Sequence, residues 1–141
     1  MTEAEFSRKL VTYFNKLVKS HFIKTHGSHF SAGVPDLIGS LRKIPTAIEL
    51  KVYDLPKRDS TVMDITKDVS PLQRHKLKTM SKGGWDCWVA VLIRPINLIV
   101  WVGYNEYPKF YKSDFIDHTF RSPRPDFPDN MKELNSLIKK L

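Results

Sequence analysis

Apolar residues recur at intervals of three and four from Thr2 to about Lys19, at Phe6, Leu10, Val11, Phe14, Leu17 and Val18. That spacing predicts an amphipathic helix capped by Thr2, with Arg8, Lys9, Lys16 and Lys19 on its wet face. HFIKTH, His21 to His26, reads as a short strand, and GSHFSAG as a small-residue loop. Two strand-like runs follow, about Val34 to Leu41 and Thr46 to Val52, joined by a polar turn around Arg42 and Lys43. Asp54 to Val69 has mixed charge and no period, which predicts a mobile loop.

Ser70-Pro71 is a helix start, with Ser as N-cap and Pro in the first turn, and Gly83-Gly84 is a stop. WDCWVAVLI and INLIVWVGY then read as two buried strands split by Arg94-Pro95, which makes their tryptophans core residues. YPKFYKSDF fits no element. RSPRPDFP is a proline-rich strap, after which Asp129 caps a last helix striped by Leu134, Leu137, Ile138 and Leu141. The order of helices and strands predicts an α/β sandwich around a mixed sheet.

At 141 residues one domain is expected, and 23 Lys and Arg against 15 Asp and Glu leave a net charge of +8. Such a surplus favours a polyanionic partner, nucleic acid above all, over a merely solvated basic surface. A single cysteine, Cys87, excludes an internal disulfide and a cysteine-built zinc site, and fits a reducing, cytoplasmic setting. No signal-like start and no membrane-length apolar run is present, so no membrane association is expected.

The charges inside the two central runs carry the chemistry. If a two- or four-residue turn closes an antiparallel hairpin at Arg42-Lys43, facing positions add up to 85, and Asp36 then faces Glu49 with Cβ atoms roughly 5 Å apart. An odd-length turn would break this pairing. Lys51 shares the face of Glu49, while Ile48, Leu50 and Val52 point the other way. Two carboxylates on adjacent strands suit a hard divalent cation such as Mg²⁺ or Mn²⁺, and a neighbouring ammonium suits the charge that builds on a phosphate during hydrolysis. The competing reading makes Asp36 a turn residue after Pro35, and Glu49 and Lys51 an exposed strand face.

Pro35-Asp36, twelve residues, then Glu49-Leu50-Lys51 resembles the signature of PD-(D/E)XK nucleases. The chain is more particularly similar to the stand-alone VRR-NUC branch and to Holliday junction resolvases. The shared features are Glu3 to Phe6 at the helix start, Ser31 to Asp36, Ser70-Pro71-Leu72-Gln73 and Gly84-Trp85. The resemblance spans about Glu3 to Ile93.

It implies a restriction-endonuclease-like core, a central mixed sheet flanked by helices. Residues 1–120 would form the nuclease domain, and 121–141 a strap and helix packing on the core or on a dimer partner. It also implies that Asp36, Glu49 and the Leu50 carbonyl bind Mg²⁺ or Mn²⁺, that Lys51 is catalytic, and that a helix glutamate completes the site. Glu3 lies on the inward stripe with Phe6 and Leu10, and Glu5 on the wet face, so Glu3 is the candidate.

Gln73 reads either as half of a capping box with Ser70 or as a catalytic-site residue on the face of Leu77 and Met80. His29 and Ser31 before the aspartate, Lys9 and Lys16 on the first helix, and Arg74 and Lys78 on the second are candidate DNA contacts. The expected protein is a Mg²⁺-dependent endonuclease of branched DNA, acting as a homodimer whose interface uses the C-terminal stripe. A nicking, flap or restriction-like nuclease, a non-catalytic basic nucleic-acid-binding module and an assembly protein are the alternatives.

Overall fold

A computed structural model describes residues 1–25, 33–117 and 120–141, with the side chains of residues 116 and 117 excepted. Helix α1 (Glu3–Lys16) leads into strands β1 (His21–Lys24), β2 (Leu37–Leu41) and β3 (Ile44–Asp54). Next come a short strand β4 (Met63–Asp64) and helices α2 (Ile65–Asp68) and α3 (Pro71–Lys82). Strands β5 (Asp86–Arg94), β6 (Leu98–Gly103) and β7 (Lys109–Phe110) precede helices α4 (Lys112–Asp117) and α5 (Met131–Lys140).

The main sheet has the order β1-β2-β3-β5-β6, with β3 and β5 parallel and the other neighbours antiparallel. The parallel pair needs a crossover, which α3 supplies. Side chains alternate across β3: Ile48 and Leu50 face α1 and α5, and Ala47 faces the side covered by α3. Both faces are therefore buried, and a charged residue in the middle of β3 has no water on either side. The expected mixed sheet between helices is what forms.

The β2–β3 turn is two residues long, Arg42 and Lys43, with φ of 49° and 73°. Two left-handed residues in a row match the twist of a tight hairpin, and here they occur without the usual Asn-Gly pair. Backbone ties to the α1–β1 connection hold the turn: Arg42 N–H donates to Ser20 Oγ at 2.9 Å and Lys43 N–H to the Lys19 carbonyl at 3.1 Å. Facing residues run from Leu37↔Ile48 to Leu41↔Ile44 and so add up to 85, the register the turn length predicts. On β2, Gly39 sits where a Cβ would lie 2.1 Å from the His21 carbonyl oxygen, so only glycine lets β1 and β2 close.

Two readings of the sequence need correction, the loop and the last cap, and two stretches left open gain a definite place. Asp54 to Val69 is not a structureless loop: β3 runs on to Asp54, and Met63, Ile65 and Val69 are buried beneath α2 and β4. YPKFYKSDF, unassigned from sequence, supplies β7 and most of α4, and places Phe110 and Phe115 against that same cluster. The last helix is capped by Asn130, whose side chain accepts the Glu133 N–H at 2.7 Å, and not by Asp129. Of the two surfaces left open for its stripe, this chain's own core is the one covered: Met131 and Leu134 are buried and Leu137 and Ile138 pack on the α1 face, while Leu141 is exposed.

The strap between α4 and α5 is bolted to the far end of the sheet. Phe127 stacks on Trp101 with ring centroids 4.2 Å apart, and Trp101 donates its indole N–H to the Pro128 carbonyl at 2.9 Å. Arg124 pairs with Asp86 and Asp126, and Arg42 reaches Asp126 at 3.5 Å.

Lys43→Gly should stabilise the protein by about 1 kcal/mol, because glycine removes the left-handed penalty. Gly39→Ala should cost about 3 kcal/mol by overpacking. Urea unfolding monitored by tryptophan fluorescence checks both.

Candidate active site

Asp36 stands one step before the first rung of the β2–β3 ladder, so the register carries it to the position facing Glu49. Its backbone is gripped from β1: Thr25 N–H donates to the Asp36 carbonyl at 2.8 Å, and the Thr25 hydroxyl donates to the Pro35 carbonyl. Its Oδ2 accepts the Leu50 N–H at 2.8 Å. In an extended strand the N–H and C=O of one residue point to the same edge, so the Leu50 carbonyl also turns toward the open end of β2, where no strand among the described residues takes it up.

On the approach to Asp36, Gly33 has φ of +80°, and a Cβ there would lie 2.6 Å from the Leu72 side chain. Left-handed backbone and close contact with the first turn of α3 both demand glycine at that point.

Glu49 is 2% exposed, between β2 and β5. Its Oε1 accepts from Gln73 Nε2 at 3.1 Å, while its Oε2 is buried and has no hydrogen-bond donor among the described residues. Burial is the main cause that pushes the Glu49 carboxyl up to about 9; the neighbouring Asp36, as acceptor for its proton and as a like charge, adds to it, and Lys51 opposes it.

Lys51, one repeat further along the same face, donates from Nζ to Gln73 Oε1 at 3.3 Å. That same oxygen accepts the Ser70 N–H at 3.0 Å, and Gln73 N–H donates to Ser70 Oγ at 3.2 Å. Gln73 therefore closes the capping box and, from the same amide, bridges Lys51 to Glu49. The amide orientation is forced, since a flipped group would set its NH₂ against two donors.

On the α1 side of Asp36 lies a cavity of about 250 Å³, lined by Glu3, Ser7, Lys24, Thr25, Asp36 and Leu50. The Glu3 carboxyl is shifted upward by burial and by Asp36, with Lys51 acting against both. Glu5 is occupied in the Thr2 capping box, which leaves Glu3 as the helix-start carboxylate that faces this space. Among the described residues no three His, Cys, Asp or Glu side chains gather closely enough to hold a metal ion, so Glu3 does not join Asp36 and Glu49 in a ready-made cluster.

Sequence reasoning missed Lys24. The signal was there: with Phe22 turned to the core, the period of two turns Lys24 inward as well, and its pairing with Leu37 sets it beside Asp36.

The candidate DNA contacts divide. Lys9 donates to Asn135 Oδ1, and the exposed Lys16 to the Ile138 carbonyl at 2.9 Å, so both also tie α5 to α1. The Arg74 guanidinium packs over Tyr107, 5.9 Å from the ring centroid. Lys78 is exposed on α3. His29 and Ser31 lie outside the described residues.

No protein-family model matches the sequence, and no curated protein matches it. Among solved structures, the chain is similar to Hjc of Archaeoglobus fulgidus, a Holliday junction resolvase from an archaeal hyperthermophile. The TM-score is 0.52 at 19% identity, over 79% of this chain and 84% of that one. The likeness identifies the fold as the restriction-endonuclease-like α/β core expected from the sequence.

A raised folded-state pKa at Glu49 means that the native state keeps a proton the unfolded chain has released. The associated stability is complete below about 4.5 and is lost as pH climbs to about 9. Urea unfolding in chelator should therefore show wild type losing stability across that window relative to Glu49→Gln. Near pH 8 the glutamine variant should be the more stable, by about 1–3 kcal/mol. Parallel pH profiles would contradict this account of the site.

Proposed function

We propose that the chain is a divalent-metal-dependent DNA endonuclease that hydrolyses phosphodiester bonds in branched DNA. One observation carries the reading: Asp36 and Glu49 sit side by side next to the Leu50 carbonyl, and one buried Glu49 oxygen has no donor among the described residues. A cation fits that donor set, because hard oxygen ligands suit Mg²⁺ or Mn²⁺ and a divalent charge would take the place of the proton that Glu49 shares with Asp36. Asp36, Glu49 and the Leu50 carbonyl would hold the ion, which when bound supplies charge neutralisation and an activated water. Glu3, on the cavity wall, would reach the ion through water.

The protein's own groups do the rest. Gln73 fixes the Lys51 ammonium toward the site, where it stabilises negative charge developing on the phosphate. Lys24 brings a second ammonium to the α1 side of the same cavity, where it offsets the two carboxylates against an incoming polyanion.

The preference for branched DNA is supported by the likeness to a junction resolvase and by the VRR-NUC-like motifs from Ser31 to Asp36 and from Ser70 to Gln73. We take residues 1–120 as the catalytic unit and 121–141 as its brace. Symmetric cutting of a junction requires two active sites, so the working form is a homodimer.

With Mg²⁺ or Mn²⁺, wild type should cleave a four-way junction faster than matched flap, nicked and linear DNA. Asp36→Ala and Lys51→Ala should each lower the rate by about 10²–10³-fold while junction binding persists. Normal cleavage by Asp36→Ala would refute the nuclease assignment. Equal cutting of plain duplex would refute only the branch preference, and a monomer on the junction by light scattering would refute the dimer.

A further inference from the structure

Between helices α1 and α5 opens a groove of about 400 Å³, lined by Arg8, Lys9, Thr12, Asn135, Ile138 and Lys139. No carboxylate is among these residues. Lys9 and Lys16 tie the two walls together through Asn135 and the Ile138 carbonyl, which fixes their spacing. The groove adjoins the site: Ala4 lines the cavity at Asp36, and Arg8, one turn further along α1, lines the groove.

The charge on the two helices is one-sided. They carry the cations Arg8, Lys9, Lys16, Lys132, Lys139 and Lys140 against the acids Glu3, Glu5 and Glu133. Glu3 faces the site cavity, Glu5 accepts the Thr2 N–H at 2.8 Å, and Glu133 accepts the Asp129 N–H at 3.0 Å. Lys132, Asn135, Ser136 and Lys139 fall at i, i+3, i+4 and i+7 and so share one face of α5, with Lys132 and Lys139 about 10 Å apart along its axis. Arg8, Lys132 and Lys139 are exposed and make no ion pair among the described residues.

A guanidinium suits two oxygens of one phosphate, and the spaced lysines suit its neighbours along a strand. The Asn135 amide, whose oxygen is taken by Lys9, keeps its NH₂ to donate. No aromatic ring lines the groove to stack on a base, so the match is to a run of phosphates. We propose that the α1–α5 groove binds the sugar–phosphate backbone of a DNA arm beside the hydrolytic site, whatever its base sequence. The place of this contact in cleavage rests on the nuclease reading; the contact itself does not.

Binding in chelator tests the contact. Anisotropy titrations of two labelled duplexes of unlike sequence, over a salt series, compare wild type with Arg8→Gln combined with Lys139→Gln. This variant should weaken both duplexes alike, by about 10- to 100-fold at about 50 mM salt, and lower the slope of log K against log salt by about 2. Arg8→Lys combined with Lys139→Arg, which keeps both charges, should recover most of the affinity. Lys67→Gln combined with Lys109→Gln removes the same charge from a surface lined by Asp54, Asp64 and Asp68, and should change affinity by less than about threefold. Equal losses in the two neutralised variants, no loss in the first, or a loss confined to one duplex would overturn the groove assignment. So would sedimentation with phosphatidylserine vesicles that needs Arg8 and Lys139 while duplex binding does not.

With metal, the Arg8 and Lys139 glutamine variant should raise KM for junction cleavage by a similar factor, and an unchanged KM would overturn the placement of this contact beside the site. Should wild type cut no DNA while the binding pattern holds, the nuclease reading fails and the groove stands. If DNA is cut but the binding pattern is missing, the groove fails and the nuclease reading stands.

Discussion

A carboxyl group enclosed in the middle of a sheet, pressed against a second one, is the constraint around which the rest of the molecule is organised. Glu49 has strands on either side and helix layers above and below, and water reaches almost none of it. Such burial is tolerated only where neighbours meet the charge or a visiting cation does. The surroundings are built accordingly: Gln73 satisfies one oxygen, Lys51 leans in behind Gln73, and Asp36 is brought alongside by a short turn and a grip from β1. Position comes from rigid strands and from the start of a helix, and the elements that set it are the same ones that close the core.

The readable parts of the sequence were those in which one local rule decides the outcome. A two-residue turn at Arg42-Lys43 fixes register, and register fixes which carboxylates meet; the pattern of Thr2 to Phe14 fixes which glutamate of the first helix faces inward. Asp54 to Val69 was opaque because its apolar residues, Met63, Ile65 and Val69, have no period of their own. They are organised by Phe110 and Phe115, nearly fifty residues away, through a two-residue strand pair too short to leave a signal. The destination of the C-terminal stripe was equally hidden, since nothing in Leu134 or Ile138 says whether the surface they cover belongs to the same chain. Asn130 displaced Asp129 as cap by one position, within the ordinary uncertainty of helix ends.

The basic surplus also divides in a way composition does not reveal. Lys9 and Lys16 fasten the last helix, Arg42 and Arg124 fasten the strap, and Arg74 lies on Tyr107. These cations serve as internal braces. Lys24 and Lys51 stand beside the carboxylates of the central strands, and the remaining exposed cations, such as Lys19, Lys43, Lys78 and Lys82, are spread over the surface.

Gln73 joins two duties in one amide: it seeds the first turn of α3 and it spans the acid and the amine of the central strand. An exchange there disturbs two things at once, the start of the helix and the tether between Lys51 and Glu49. The crossover helix and the charged stretch of the central strand are thereby fastened through a single side chain, so neither can be repacked without the other.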